Sequence, residues 1–192
     1  MVPRVLGEFQ RAHSAVRVAL TVSDTQTVVD LVGRRELELG VVGAARRHRG
    51  VTYEPFFRDE VVLAVPAGHR FAGETITLEQ LKEEPLVLMQ EGAGVRQVVE
   101  DELRERNVRF RDLDVRLELG LQESARAAVL AGFGVTFVSR LAIEGDLASG
   151  ALSVARVEGL EPSREISLVR STGRAETRVA QDFVAFARKR LA

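Results

Sequence analysis

Gly92-Ala93-Gly94 stands between an apolar run, Leu86 to Met89, and a helical pattern from about Val95 to Arg106. Small residues at a helix start leave the first amide N–H groups open to a ligand, and the positive end of the helix dipole favours a carboxylate or other anion there. The same glycines also suit a plain tight turn that needs their dihedral freedom. A dinucleotide fingerprint is excluded, because the third glycine of the G-x-G-x-x-G spacing falls on Gln97. Arg96, in the first turn, carries the fork that clamps a carboxylate, and it can equally pair with Glu100 one turn on. Ser23, Asp24 and Thr25 precede another helical pattern and supply capping oxygens.

Other chemistry finds no support. His13, His48 and His69 are scattered with no second ligand at i+4, so no metal site is expected. Thiolate sites are excluded by the absence of cysteine. Arg46 to Arg49 has no interleaved aromatic to stack on a base and reads as a solvated loop. Glu83-Glu84 and Glu100-Asp101-Glu102 read as solvated helix faces, since adjacent helical residues do not face one another. No G-x-S-x-G elbow occurs, and no nucleophile lies beside a base. The expectation is a protein that is not an enzyme and carries no cofactor.

Composition agrees with a binding role. The 192 residues are 45% hydrophobic and 29% charged, with 16 Gly and 5 Pro, as in an ordinary globular protein. Lys+Arg 27 against Asp+Glu 28 leaves a formal charge of −1, so this chain lacks the field of a dedicated nucleic-acid binder. No apolar run approaches the ~20 residues that span a bilayer. No signal peptide is visible after Met1, and the expected location is cytoplasmic.

The elements that must position these residues follow from periodicity. Pro3 to His13 places Val5, Leu6 and Phe9 at helical spacing. Val16 to Val22 alternates as a strand, leading into a helix carrying Val28, Leu31 and Val32. Leu39 to Val42 is then expected to pair in parallel with that earlier strand, completing a strand-helix-strand unit. Two extended runs follow, Val51 to Phe57 and Glu60 to Pro66, and Pro66 to His69 reads as a linker. Beyond it come a short helix (Leu78 to Glu83), the strand Leu86 to Met89, the Val95 to Arg106 helix and a strand over Leu113 to Leu119. A helix over Ser124 to Ala131 and a strand over Gly134 to Val138 are next, with Gly132 as a left-handed helix cap. Leu141 to Leu147 reads as helical, Leu152 to Val157 and Glu165 to Arg170 as extended, and Glu176 to Leu191 as a helix with Val179, Phe183 and Phe186 on one face. The fold class is α/β in two regions of similar size, which suggests two lobes with a ligand cleft between them.

Gln90-Glu91-Gly92-Ala93-Gly94-Val95-Arg96, then Ala128 to Val135 and Val138-Ser139, resemble the effector-binding domain of LysR-type transcriptional regulators. Pro3-x-x-Leu6-x-x-Phe9, Glu36 to Val42, Asp59 to His69 and Phe183-x-x-Phe186 fall in that family's order, so the resemblance covers nearly the whole chain. Around Gly92 to Arg96 the pattern is most similar to sulfur- and anion-sensing members. The resemblance implies a two-lobed, type 2 periplasmic-binding-protein-like fold with two hinge crossover strands: lobe one from 1–66 and 162–192, lobe two from 67–161. It implies an effector site formed by Ser23, Thr25, Gly43, Ala44, Glu91, Gly92, Ala93, Gly94, Val95 and Arg96, taking a small, anionic metabolite. It further implies a homodimer or homotetramer, paired antiparallel through the first helix and the Val95 to Arg106 helix. DNA would be contacted through an N-terminal winged helix-turn-helix, and that domain, like the family's first strand and its Ser/Thr-bearing loop, normally stands before the position of Pro3. The rival readings are a solute-binding protein of the same fold and a stand-alone sensor.

Overall fold

The computed structural model describes residues 2–43, 45, 47–173 and 175–191. The chain packs as two compact units, one from 1–58 with 165–192, the other from 59–164. Two long strands, β2 (Val51–Pro66) and β8 (Ser163–Ser171), each run from one unit into the other.

In the first unit, α1 (Val2–Ala12) sets Val5 and Phe9 inward, as its helical spacing requires. Phe9 is 1% exposed and meets Phe183 and Phe186 of α7 (Arg178–Leu191) edge-on, at 5.4 and 5.5 Å between ring centroids. The buried face of α7 is Ala180, Val184 and Ala187, with Phe183 and Phe186 half-buried beside it. Val179, expected on that face, is 44% exposed. α2 (Thr25–Gly33) packs Val28, Val29 and Val32 on β1 (Leu39–Val42), and the approach is close: a Cβ at Gly40 would lie 2.8 Å from the Val28 side chain.

Three expectations are corrected here. Residues 16–22 form no strand, although their alternation is strand-like. Val18, Leu20 and Val22 remain 37%, 47% and 83% exposed, because alternation specifies a face only when a neighbouring strand supplies a ladder to hold it. β1 pairs instead with β8, and antiparallel: Leu39 lies opposite Arg170 and Val42 opposite Ser167. The two extended runs at 51–57 and 60–66 are one strand, since Arg58 and Asp59 continue the extended backbone.

In the second unit, β4 (Leu86–Met89) is the middle of three parallel strands, flanked by β5 (Val115–Leu119) and β6 (Val135–Ser139). All four β4 residues are buried, which accounts for a continuous apolar run in place of alternation. The 61–64 segment of β2 runs antiparallel to β6, and β7 (Leu152–Val157) pairs with β2 over 63–66 and with β3 (Thr75–Ile76). The helices are α3 (Leu78–Lys82), closed by a Thr77–Gln80 capping box, α4 (Gly94–Glu105), α5 (Gln122–Leu130) and α6 (Glu144–Ser149). Val95, Val99 and Leu103 of α4 enter the main core with Leu63, Leu86, Val135 and Phe137. Gly132 has φ +81° and ends α5 as expected. Among the described residues, no helix is long and apolar enough to cross a membrane.

Candidate functional site

β4, β5 and β6 are parallel, so their carboxyl ends at Met89, Leu119 and Ser139 lie along one edge of the sheet of the second unit. Antiparallel pairing of β2 brings its Asp59–Val61 end to the same place, with Val61 opposite Ser139. Loops following the carboxyl ends of parallel strands are where α/β folds bind ligands.

The loop after Met89 turns through Gly92 at φ +84° and enters α4 at Gly94. The N-cap residue is Ala93, which has no side-chain oxygen, so the first-turn amides of α4 have no capping side chain. Glu91 and Gly92 are exposed, while Ala93 and Gly94 are half-buried. Val95 is 2% exposed with its side chain in the core, so only its backbone can face a ligand.

Arg96 sits differently from a free clamp. Its Nη1 donates to the carbonyl of Met89 at 2.9 Å and lies 3.2 Å from the Glu118 carboxylate, with the guanidinium 5.5 Å from the centre of the Phe110 ring. Its Nε is buried without a hydrogen bond among the described residues. The side chain thus ties the end of β4 to the end of β5, and its partner is Glu118 in place of the expected Glu100.

Three polar residues along this edge, Asp59, Ser139 and Arg164, are not among the expected site residues. Asp59, 2% exposed, accepts from the Ser139 hydroxyl and from Arg164 Nε at 2.9 Å. The Ser139 amide donates to Gln122 Oε1 at 3.0 Å. Arg164 Nη1 lies so near α4 that a Cβ at Gly94 would stand 2.8 Å from it. Asp59 and Ser139 belong to motifs named above, yet only the fold pairs β2 with β6 and lays Arg164 beside Asp59.

In the first unit, Asp24 alone caps α2. Its carboxylate accepts the Thr27 amide at 3.0 Å and the Thr27 hydroxyl at 2.6 Å, and these bonds hold its carboxyl below the usual carboxylate range. Ser23, expected to share the cap, donates to Asp24 at 3.4 Å, and Thr25 is the first helical residue. Asp24 holds the position just before the first helical residue, and its second oxygen takes the Thr27 hydroxyl as its first takes the amide. Gly43 follows β1, and Ala44 and Arg46 lie outside the described residues. A hollow of about 440 Å³ in this unit is lined by Arg35, Glu38, Thr52, Arg170, Glu176 and Gln181, and by none of the expected site residues. Its Arg170 is matched by Glu54 at 3.2 Å and Glu176 at 2.7 Å. Among the described residues, no group of three or more His, Asp or Glu could hold a metal ion.

The family model described as "LysR substrate binding domain" matches residues 1–192. Over 188 residues the chain is 36% identical to a phosphonates import ATP-binding protein, PhnC, of Anaeromyxobacter dehalogenans, covering 98% of this chain and 38% of that protein. It is 31% identical over 185 residues to the RuBisCO operon transcriptional regulator of Allochromatium vinosum, covering 96% of this chain and 60% of the regulator. The chain therefore spans less than two thirds of either relative. The regulatory domain of CcmR from Synechocystis PCC6803, solved in complex with 2-PG, superposes with a TM-score of 0.81 at 23% identity, over 99% of this chain and 90% of that one.

Proposed function

The chain belongs to the LysR substrate-binding-domain family, and from that premise we propose that it is the ligand-sensing regulatory domain of a LysR-type transcriptional regulator. The match over every residue carries this reading. A small anionic metabolite binds, shifts the populations of the domain's conformations, and so biases DNA binding elsewhere in the regulator. The effector class is consistent with the uncapped start of α4 and with the 2-PG bound by the Synechocystis neighbour.

In this reading, unit two contributes Glu91, Gly92, Ala93, Gly94 and the backbone of Val95, with Arg96 fixing the loop that carries them. Ser23, Thr25, Gly43 and Ala44 are the contributors offered by unit one. The lobes drawn at 1–66 with 162–192 and at 67–161 act as the two working halves. The domain senses and does not catalyse. It works in the cytoplasm as a homodimer or homotetramer, associating through α1 and α4, and a winged helix-turn-helix contacts DNA.

A thermal-shift screen of 2-PG, phosphonates, sulfur oxyanions, amino acids and aromatic acids tests this. A true effector at 100 times its dissociation constant stabilises the fold by about 2.7 kcal/mol. A screen in which no anion raises the midpoint overturns the reading.

One relative favours a second reading: the 36% match to an import ATP-binding protein suits a sensor attached to uptake of oxyanions. Gel retardation with the complete gene product separates the two, because only the regulator retards promoter DNA.

A further inference from the structure

We infer that Asp59 is a clamp that couples the two chain crossings between the units, so that the backbone at one crossing turns only together with the backbone at the other. The inference goes beyond the sensing reading and stands whether or not the effector is an anion.

The chain passes between the units twice, at 58–59 in β2 and at 164–165 in β8. On the second-unit side of those crossings stand Asp59 and Arg164, 105 residues apart in sequence and ion-paired at 2.9 Å. Beside them the Val61 amide donates to the Pro162 carbonyl at 2.9 Å. From Leu63 onward β7 takes the place at the side of β2, so the two crossing strands part just past Asp59. Ser139, at the end of β6, donates its hydroxyl to the same carboxylate. Asp59 thus binds side chains from two other strands at the point where the chain changes units.

This residue is 2% exposed, the most deeply buried charged residue among those described, and its two donors replace the water that its carboxylate has lost. The Arg164 side chain is 16% exposed. Breaking such a pair leaves a charge in a low-dielectric interior without its partner, so the intact arrangement is preferred over any in which one strand has shifted alone. Hinges work through a few backbone positions that absorb the change in φ and ψ. Two such positions joined by a buried ion pair either turn together or break it. A conformational change that passes through the crossings is thereby concerted, and the pair sets a threshold that a population-shifting effector has to overcome.

Hydrogen–deuterium exchange of the whole chain, read by mass spectrometry on peptides covering 57–61 and 162–166, tests the coupling without a ligand. Asp59→Asn and Arg164→Gln each speed exchange in both peptides at least tenfold more than in peptides of α2 and β4. The double variant exchanges no faster than the faster single one, because either substitution already breaks the same pair. Asp146→Asn removes the ion pair that joins α5 to α6 in the same unit and gives the crossing peptides no such excess. Ser139→Ala, which takes away only one donor, gives a severalfold excess in both, and it decides the matter if the charge variants fail to fold. An excess in only one crossing peptide, an equal rise in every peptide, additive effects in the double variant, or no rise overturns the proposal. Uncoupled crossings together with a metabolite response in the stability screen sink this inference and leave the sensing reading intact. Coupled crossings with no metabolite response do the reverse.

Discussion

The charged side chains of this protein are decided by their neighbours more than by their own positions in the chain. Arg96 in the first turn of α4 and Arg164 near the start of β8 are the same residue type, yet one guanidinium is engaged by a carbonyl, a carboxylate and a ring, while the other is held through Nε by the buried Asp59. Gly94 is legible in sequence as a helix start. The partner it makes room for is not, because Arg164 arrives from a distant strand. Of the three candidate caps it is Asp24 that stands at the N-cap, where its two oxygens take the Thr27 amide and hydroxyl. Arg126 and Asp146 form a forked ion pair in the second unit, and the Arg126 hydrogen bonds hold the Asp146 carboxyl below its usual range. A carboxyl lowered in the folded state stabilises above its unfolded value of about 3.9 and loses that contribution as pH falls through the folded value. Asp146→Asn should therefore cost about 1–3 kcal/mol at pH 7 in urea unfolding. The gap from wild type should narrow below about pH 3; an equal gap at pH 7 and pH 3 would show that the pair is not the cause.

At the level of elements, helices were read well and strand pairing poorly. A helix closes its hydrogen bonds within one segment, so the spacing of Val5 and Phe9, or of Val95, Val99 and Leu103, already contains most of the answer. A strand needs a second segment. Residues 16–22 carry the alternation of a strand but no ladder, and their apolar side chains stay in solvent. Replacing Leu20 and Val22 together with serine should change the unfolding free energy by less than about 0.5 kcal/mol, as for surface positions away from the core. A loss of 2 kcal/mol or more would mean that this segment is packed in solution. On α7 the aromatic stripe was placed correctly in part, but the most buried line runs through Ala180, Val184 and Ala187, where small residues let the helix settle on Leu168 and Val5.

For the whole molecule, the decisive fact is that one unit is continuous in sequence and the other is not. Unit two, 59–164, holds its main core between Val61 and Leu160, whereas unit one needs both 1–58 and 165–192. A 59–164 fragment should unfold cooperatively in urea, while 1–58 alone should show no such transition; a 59–164 fragment without a transition would show that unit two depends on the rest. The α/β class, the order of most elements, the family and the uncapped glycine turn could be read from sequence alone, because each depends on composition, local periodicity or motifs in a fixed order. The antiparallel β1–β8 pairing, the unbroken run of β2, the diversion of Arg96, the meeting of Asp59 with Ser139 and Arg164, and the approach of Arg164 to Gly94 were decided by tertiary structure alone. Those depend on hydrogen bonds and contacts between segments far apart in the chain, and no local spacing encodes which distant backbone or charge will come to lie alongside.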